Sequence, residues 1–136
     1  MSRLLITRGL PGSGKTTFAR RLQPWVVRVN RDDLRRMLHG RRLYTPWAEG
    51  LVSTVQRSSV EKLLEARADV MVDDTNLAPA RVREWSALAF RAGVRFEIHD
   101  FTGVPVDECV RRDAARPDDE RVGEAGIRDL HRKYLT

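Results

Sequence analysis

A glycine-rich segment, residues 9–17, restricts the fold of this chain more than any other stretch. Its sequence, GLPGSGKTT, fits the phosphate-loop pattern G-x-x-x-x-G-K-[ST] at every fixed position. The apolar residues 4–7 before it predict a buried strand, and residues 17–22 after it predict a helix. This order of strand, loop and helix is the one that the pattern requires, so the segment is predicted to bind a nucleoside triphosphate.

The loop residues have separate expected roles in holding the triphosphate. Gly12 and Gly14 allow backbone angles that side chains forbid, so successive amide N–H groups can point at phosphate oxygens at the positive end of the next helix. Lys15 is expected to reach the β- and γ-phosphates, and the Thr16 hydroxyl is expected to face a Mg²⁺ ion. The predicted binding residues for ATP or another nucleoside triphosphate are Gly12, Ser13, Gly14, Lys15, Thr16 and Thr17.

The length and composition of the chain limit the classes to which it can belong. Its 136 residues suffice for one domain with a buried core, so residues 1–136 are predicted to form a single domain. Cys109 is the only cysteine, which excludes an internal disulfide and a cysteine metal cluster and predicts a packing role. No apolar run approaches the roughly 20 residues of a membrane span, and no signal-peptide pattern precedes the first strand. We expect a cytoplasmic protein with no membrane partner.

The formal net charge of +6 comes almost entirely from arginine, because the chain has only three lysines, Lys15, Lys62 and Lys133. Guanidinium groups suit bidentate contact with phosphate and stacking on bases. The charge therefore favours an acidic partner such as nucleic acid. An arginine-rich but ordinary solvated surface explains the charge equally well at this point.

Apolar runs and helical periodicity alternate along the rest of the chain. Strands are predicted at residues 25–29, 69–72 and 94–101, and helices at residues 31–38, 47–68, 79–92, 105–115 and 123–135. The longest helix is expected to turn its apolar side chains toward the core: Leu51, Val55, Val60, Leu63 and Leu64. The alternation predicts an α/β fold, a parallel sheet of the P-loop NTPase type with helices on both faces.

Polar side chains follow the predicted strands where ligands gather in parallel sheets. Asp32 begins the helix after the second strand and is well placed to accept a proton from an acceptor hydroxyl, with Asp33 as the competing candidate. Both aspartates could instead cap that helix. Arg35 lies one turn beyond Asp32 and could bind a phosphate already present on the acceptor, or be an exposed arginine.

Two aspartates also end the third predicted strand, in the manner of a Walker B site. Asp74 is predicted to bind or orient the magnesium through a water-mediated contact, because magnesium keeps much of its hydration shell. Asp73 is expected to have a structural role behind the site. Asn76 is expected to hold either the start of the neighbouring helix or the acceptor strand.

A helical lid is predicted near the end of the chain, where the helix over residues 105–115 leads into a polar loop. Arg116 is the candidate for contact with the β- and γ-phosphates in the transition state, as arginine fingers do. Arg112 is expected to lie beside the base or the phosphates of the nucleotide. Each arginine could instead stabilise the carboxyl end of the helix.

Three segments resemble the kinase domain of the phage polynucleotide 5′-hydroxyl kinases: GLPGSGKTT with Ala19-Arg20, the segment VNRDDLR at residues 29–35, and DTNL at residues 74–77. Val110-Arg111-Arg112 followed by Arg116 is a weaker fourth. Their order and spacing cover nearly the whole chain.

The resemblance implies a single P-loop kinase domain that acts on 5′-hydroxyl ends of RNA or DNA. It implies that Asp32 is the general base, that Arg35 binds the phosphate next to the 5′-terminal nucleoside, and that Arg116 acts on the triphosphate from the lid. Relatives form homo-oligomers, so self-association is expected. The chain departs from the family at Val122-Gly123, where Val-Pro is common, and it lacks the D-x-D-x-T motif of the fused phosphatases, so no phosphatase activity is expected.

Two other functions stay open at this point. One is a small-molecule P-loop kinase that acts on a nucleoside, sugar or antibiotic, against which Arg35 and the basic loop argue. The other is a nucleotide-binding module without transferase activity, against which the presence of both Asp32 and Arg116 argues. For a polynucleotide acceptor, the surface that first meets the strand is expected to comprise Arg31, Arg35, Arg36, Arg41 and Arg42.

Overall fold

Four apolar runs form the strands of a parallel sheet in the computed structural model, which describes residues 2–136. The strands lie in the order β2-β3-β1-β4, and every neighbouring pair is parallel. Their bounds are β1 Arg3–Arg8, β2 Val27–Val29, β3 Val70–Val72 and β4 Arg95–Asp100. The helices are α1 Lys15–Leu22, α2 Arg31–His39, α3 Pro46–Glu65, α4 Pro79–Ala92, α5 Val106–Ala114 and α6 Glu124–Tyr134, with a 3₁₀ turn at Asp118–Glu120.

Local signals in the sequence explain where the helices begin and end. The Asn30 side chain caps α2 by accepting a hydrogen bond from the Asp33 N–H at 2.9 Å. Neither aspartate of the pair is therefore the cap. Thr45 caps α3, whose first residue is Pro46. Gly93 ends α4 in the left-handed conformation that glycine adopts without steric cost.

Side chains alternate across β1 and so divide the core into two layers. Leu4 and Ile6 pack with residues of α3 and α4 on one face of the sheet, whereas Leu5 packs with Ala19 of α1 on the other. Helices therefore cover both faces, which confirms the predicted fold class. A third cluster joins the phosphate loop to α5 and α6 through Leu10, Leu77, Cys109 and Ile127.

The long helix α3 turns a different face inward from the one that its apolar residues predict. Leu51 is 38% exposed, so its predicted core position is wrong, while Val60 and Leu64 are buried as expected. Val52 takes the inward position instead, together with the side chain of Gln56, which is only 1% exposed. A polar residue is buried here because its side chain has hydrogen-bonding partners, Arg31 and Asp74.

The helices of residues 2–136 include none with the length and apolar character needed to cross a membrane. The longest, α3, has 20 residues but carries charged side chains along its length.

The phosphate loop packs directly beneath α5, which makes Gly12 sensitive to substitution. A methyl group at Gly12 would overlap the Cys109 carbonyl oxygen and would lie 3.1 Å from its carbonyl carbon, and the Gly12 φ angle is +83°. We expect Gly12→Ala to lower the free energy of unfolding by about 1–3 kcal/mol, measured by chemical denaturation.

Gly50 provides a matched control, because a methyl group there would meet open space in the interior of α3. Gly50→Ala should raise the free energy of unfolding by about 0.5–1 kcal/mol. Equal effects of the two substitutions would contradict the close packing of α5 on the loop.

Candidate active site

A cleft of about 420 Å³ lies at the carboxyl ends of the central strands. The phosphate loop, the start of α2, the end of β3 and the lid segment after α5 all contribute to its lining. The structure thus brings together seven of the residues singled out from the sequence: Lys15, Thr16, Asp32, Arg35, Asp73, Asp74 and Arg116. Thr17 lines an adjoining cavity, and Arg112 lies outside the cleft against the loop.

The backbone of the phosphate loop forms a hydrogen-bonded turn and then leads directly into α1. Gly14, with a φ angle of +100°, stands before the first turn of α1 and makes no side-chain cap there. The first amide groups of α1 therefore have no side-chain partner at the cap and are suited to bind an anion. The Ser13 N–H donates to the Leu10 carbonyl at 3.1 Å, and the Gly9 N–H donates to the Thr75 carbonyl at 3.0 Å, which joins the loop to the segment after β3.

Lys15 folds back over its own loop. Its Nζ donates to the Leu10 carbonyl at 2.6 Å and to the Ser13 hydroxyl at 3.3 Å. Burial lowers the pKa of Lys15 from 10.5 to about 8, although the nearby Asp73 carboxylate acts in the opposite direction. The ammonium group is therefore buried among weak partners and is suited to gain from contact with a polyphosphate.

Asp73 is the carboxylate that lies beside Thr16. Its Oδ2 accepts hydrogen bonds from the Thr16 hydroxyl at 3.1 Å and from Arg28 Nε at 2.7 Å. Its Oδ1 is buried, and no group within residues 2–136 donates a hydrogen bond to it. An unsatisfied carboxylate oxygen next to a hydroxyl is an oxygen donor set of the kind that Mg²⁺ prefers.

Asp74, the residue predicted to bind magnesium, has both carboxylate oxygens in hydrogen bonds to protein groups. Oδ1 accepts from the Arg31 N–H at 2.9 Å, and Oδ2 accepts from Gln56 Nε2 at 2.6 Å. Burial raises the pKa of Asp74, and these two bonds oppose that effect. Asp74 therefore anchors the start of α2, whereas Asp73 lies beside the Thr16 hydroxyl.

Two asparagine side chains hold the strand ends around these aspartates. Asn30 Nδ2 donates to the Asp73 carbonyl at 2.5 Å. Asn76 is buried, and its Nδ2 donates to the Thr7 carbonyl at 2.8 Å at the end of β1. Asn76 thus stabilises the backbone beneath the cleft, and it also lines a cavity beside the cleft.

The two aspartates of α2 have different surroundings. Asp33 is 53% exposed and pairs with Arg28 at 2.5 Å, outside the main cleft. Asp32 lines the cleft, where Arg35 Nη1 donates to its Oδ1 at 2.6 Å and Arg42 Nη2 approaches its Oδ2 at 3.5 Å. Of the two, only Asp32 lines the main cleft with Lys15, whereas Asp33 lines the adjoining cavity with Thr16 and Thr17.

Glu49, which the sequence reasoning did not identify, holds Arg35. Arg35 Nε and Nη2 donate to its two carboxylate oxygens at 2.8 and 2.6 Å, and the guanidinium lies 4.8 Å from the centre of the Tyr44 ring. The hydrogen bond from Arg35 lowers the pKa of Glu49. No periodicity connects Glu49 with Arg35, because the two residues meet only through the packing of α2 on α3.

The lid begins at a buried aspartate that the sequence reasoning also missed. The Asp113 carboxylate accepts hydrogen bonds from the Val122 and Gly123 N–H groups at 3.0 and 2.9 Å. It thereby closes the loop in which Arg116 faces the cleft. Arg112 Nη1 donates to the Gly12 carbonyl at 3.5 Å, so it contacts the phosphate loop itself.

The predicted basic surface at residues 31–42 is divided into two parts. Arg31 and Arg35 turn toward Glu49 of α3. Arg42 donates to the Glu120 and Arg121 carbonyls at 3.0 and 2.9 Å, and Arg36 donates to the Asp119 carbonyl at 3.2 Å. Arg36 and Arg42 therefore hold the lid loop in place across the cleft.

Comparison with known proteins gives matches over nearly the whole chain. The sequence model of an AAA domain family, AAA_33, matches residues 4–135. A protein of Autographa californica nuclear polyhedrosis virus, named as a bifunctional polynucleotide kinase/RNA ligase, is 27% identical over an alignment 145 positions long, which covers 97% of this chain and 21% of the viral protein.

Solved structures show the same fold. A chain of the Pnkp1/Rnl/Hen1 RNA repair complex superposes with a TM-score of 0.85 and 32% identity over 98% of this chain and 44% of its own length. Chaetomium thermophilum Kti12 in complex with ADP-AlF3 matches with a TM-score of 0.72 and 20% identity over 98% of this chain and 80% of its own. This chain thus spans less than half of the matched repair-complex chain and about a fifth of the viral protein.

When the nucleotide binds between about pH 8 and pH 10, we expect Lys15 to take up a proton. The free protein has a Lys15 pKa of about 8 because of burial, and a bound polyphosphate favours the ammonium form and raises that pKa. Affinity should therefore fall as the pH rises above 8, by up to about tenfold per pH unit. Calorimetry in buffers of different ionisation enthalpy measures the uptake. Lys15→Met should abolish it, and the exposed Lys62→Met should retain it.

Folding stability gives a second measurement of the same group. The native pKa of Lys15 is about 8, below its ordinary value of 10.5, so the unfolded chain binds more protons between these values. The free energy of unfolding contributed by this group should rise with pH in that window. A pH dependence identical in the wild type and in Lys15→Met would contradict the lowered pKa.

Proposed function

The chain belongs to the AAA domain family AAA_33, and within that family we propose that it is a polynucleotide 5′-hydroxyl kinase. It transfers the γ-phosphoryl group of ATP or another nucleoside triphosphate to the 5′-hydroxyl end of RNA or DNA. The observation that carries the proposal is one cleft shared by the phosphate loop and the Asp32–Arg35 pair. The relatives named for polynucleotide kinase and RNA repair support the same acceptor.

The donor side of the reaction uses the phosphate loop. Backbone N–H groups of the loop bind the phosphate oxygens, and Lys15 exchanges its contacts with the Leu10 carbonyl and Ser13 for the β- and γ-phosphates. Arg116 approaches from the lid, where its positive charge stabilises the phosphoryl group as it transfers. Arg112 stabilises the phosphate loop by donating a hydrogen bond to the Gly12 carbonyl.

The acceptor side uses Asp32 as the general base. The acceptor 5′-oxygen attacks the γ-phosphorus and gives its proton to Asp32, while the bond from the γ-phosphorus to the β–γ bridging oxygen breaks and the nucleoside diphosphate leaves. Arg35 orients the Asp32 carboxylate and binds the phosphate next to the 5′-terminal nucleoside. Glu49 fixes the guanidinium plane of Arg35 through its two hydrogen bonds.

Magnesium fits beside the phosphate loop at the Thr16 hydroxyl and Asp73 Oδ1. The unsatisfied Oδ1 supports Asp73 as the carboxylate that would hold the ion, in place of Asp74. When bound, Mg²⁺ would neutralise charge on the β- and γ-phosphates. Self-association and a cytoplasmic location of the protein stay predictions.

The two alternative functions differ from this proposal in the molecule that would receive the labelled phosphoryl group. A small-molecule kinase would transfer the γ-phosphoryl group to a free nucleoside, sugar or antibiotic in preference to an oligonucleotide. A nucleotide-binding module would bind the triphosphate and label no acceptor. Transfer from γ-³²P-labelled donors to 5′-hydroxyl oligonucleotides and to free nucleosides separates all three functions.

Neutral substitution of the base should abolish most of the transfer. Asp32→Asn is expected to lower kcat by about 10²–10⁴-fold, because it removes the proton acceptor from the cleft. Asp33→Asn should change kcat by no more than about threefold, since Asp33 lies outside the main cleft and pairs with Arg28. Labelling of a 5′-hydroxyl oligonucleotide measures kcat of both variants, and the melting temperatures of the two variant proteins should match that of the wild type. A larger loss in Asp33→Asn than in Asp32→Asn would show that the base is misassigned.

Substitutions of the two aspartates after β3 should have different effects, one on metal binding and the other on folding stability. Asp73→Asn is expected to raise the Mg²⁺ concentration for half-maximal activity by about tenfold or more. Asp74→Asn should instead lower the melting temperature, because it weakens the buried contacts to Gln56 and to the Arg31 N–H. Mn²⁺ binding in the presence of ADP, followed by electron paramagnetic resonance, provides a readout independent of turnover. The reverse pattern would restore Asp74 as the metal ligand.

A further inference from the structure

Two further cavities continue the active cleft, the first beside residues 74–78 and α6 and the second between α3 and α4. The first, of about 250 Å³, shares Arg31, Arg35 and Asp74 with the cleft. It also shares Arg81 with the second, which lies between α3 and α4 and again measures about 250 Å³. The three spaces therefore adjoin one another in a row that starts at the proposed acceptor phosphate site.

The far cavity is rich in positive charge without matching carboxylates. Three guanidinium groups line it, those of Arg57, Arg81 and Arg91, against the single carboxylate of Glu84. Glu84 pairs with Arg81 at 3.1 Å. In the part of the chain that the structure describes, no carboxylate lies within 4.0 Å of the Arg57 or Arg91 guanidinium. Two exposed and unpaired arginines facing one cavity favour a polyanion.

One buried group along these cavities lacks a partner, and a half-buried aromatic ring lines the middle cavity. Trp85 is 4% exposed and lines the far cavity, and its Nε1–H has no acceptor within residues 2–136. Tyr134 lines the middle cavity beside Leu77. An aromatic ring between phosphate-binding arginines is the arrangement that single-stranded nucleic acids use for base stacking.

We propose that these cavities form a track for the acceptor strand beyond its first phosphate, a proposal that rests on the polynucleotide kinase function. Arg35 binds the phosphate next to the 5′-terminal nucleoside, and Tyr134 stacks a base in the middle cavity. Arg81 receives the following phosphate, and Arg57 with Arg91 receives the next ones. These last three residues, Arg81, Arg57 and Arg91, form the arginine track.

On the opposite side, the cleft adjoins a cavity of about 200 Å³ that Arg36 and Arg42 line together with Glu120 of the lid loop. Arg36 and Arg42 donate to lid carbonyls and are thereby occupied by the protein itself. The strand therefore leaves the cleft between α3 and α4. Of the basic surface expected from the sequence, this path includes Arg31 and Arg35.

The experiment compares acceptors of increasing length. Wild-type protein is assayed with a nucleoside 3′-monophosphate and with 5′-hydroxyl oligonucleotides of two to eight nucleotides, all with the same donor. We expect kcat/KM to rise with length until about four nucleotides are present. In Arg57→Ala/Arg91→Ala, the ratio of kcat/KM for the octanucleotide to that for the 3′-monophosphate should fall about tenfold.

Arg83→Ala is the matched control, because Arg83 is an exposed arginine of α4 that lines none of the three cavities. Its length dependence should equal that of the wild type. The salt dependence adds a second readout. For the octanucleotide, the slope of log kcat/KM against log salt should become shallower by about 0.7 for each phosphate that the double variant no longer binds.

The outcomes separate the arginine track from the function on which it rests. Labelling of every acceptor with no dependence on length, or an unchanged ratio in Arg57→Ala/Arg91→Ala, would overturn the track and leave the kinase function in place. An equal fall of the ratio in Arg83→Ala would also overturn it, since the effect would then reflect general surface charge. No labelling of any 5′-hydroxyl acceptor by the wild type would overturn both proposals.

Discussion

The parallel pairing of β3 with β1 is the constraint on which the site depends. Ile6 and Val72 are partners in the register, so the loop after β1 and the aspartates after β3 leave the sheet at the same edge. The hydrogen bond from the Gly9 N–H to the Thr75 carbonyl continues this pairing beyond the strands. The Thr16 hydroxyl can therefore contact Asp73, and a shift of the register would separate the phosphate loop from the carboxylate beside it.

The cleft holds its charged groups with internal partners that a substrate can replace. Lys15 contacts a carbonyl and a hydroxyl, Arg35 contacts two carboxylates, and Arg42 contacts lid carbonyls. Such contacts fix the positions of the cations before a ligand arrives, which reduces the reorganisation needed during the proposed phosphoryl transfer. The buried carboxylates of Asp73 and Asp113 have complementary tasks, since one lies beside the phosphate loop and the other closes the lid.

Much of the architecture could be predicted from local signals, because strand and helix periodicity, caps and glycine stops depend on neighbours along the chain. The predicted helix at residues 79–92 has the observed bounds of α4. Local signals failed where a partner lies far along the chain. Gln56 is a surface residue by type, yet it is buried because Asp74 accepts its hydrogen bond. For the same reason, Glu49 and Asp113 carried no recognisable signal.

The sequence alone determined that a phosphate loop follows the first strand, because the pattern at residues 9–17 is a property of adjacent residues. It also determined that Asp32 and Arg35 share one helix face, since three residues make nearly one turn. Only the tertiary structure decided that Asp73 contacts Thr16, that Arg42 reaches the lid, and that cavities continue between α3 and α4. The physical reason is that these contacts depend on sheet register and helix packing, which join residues distant in the chain.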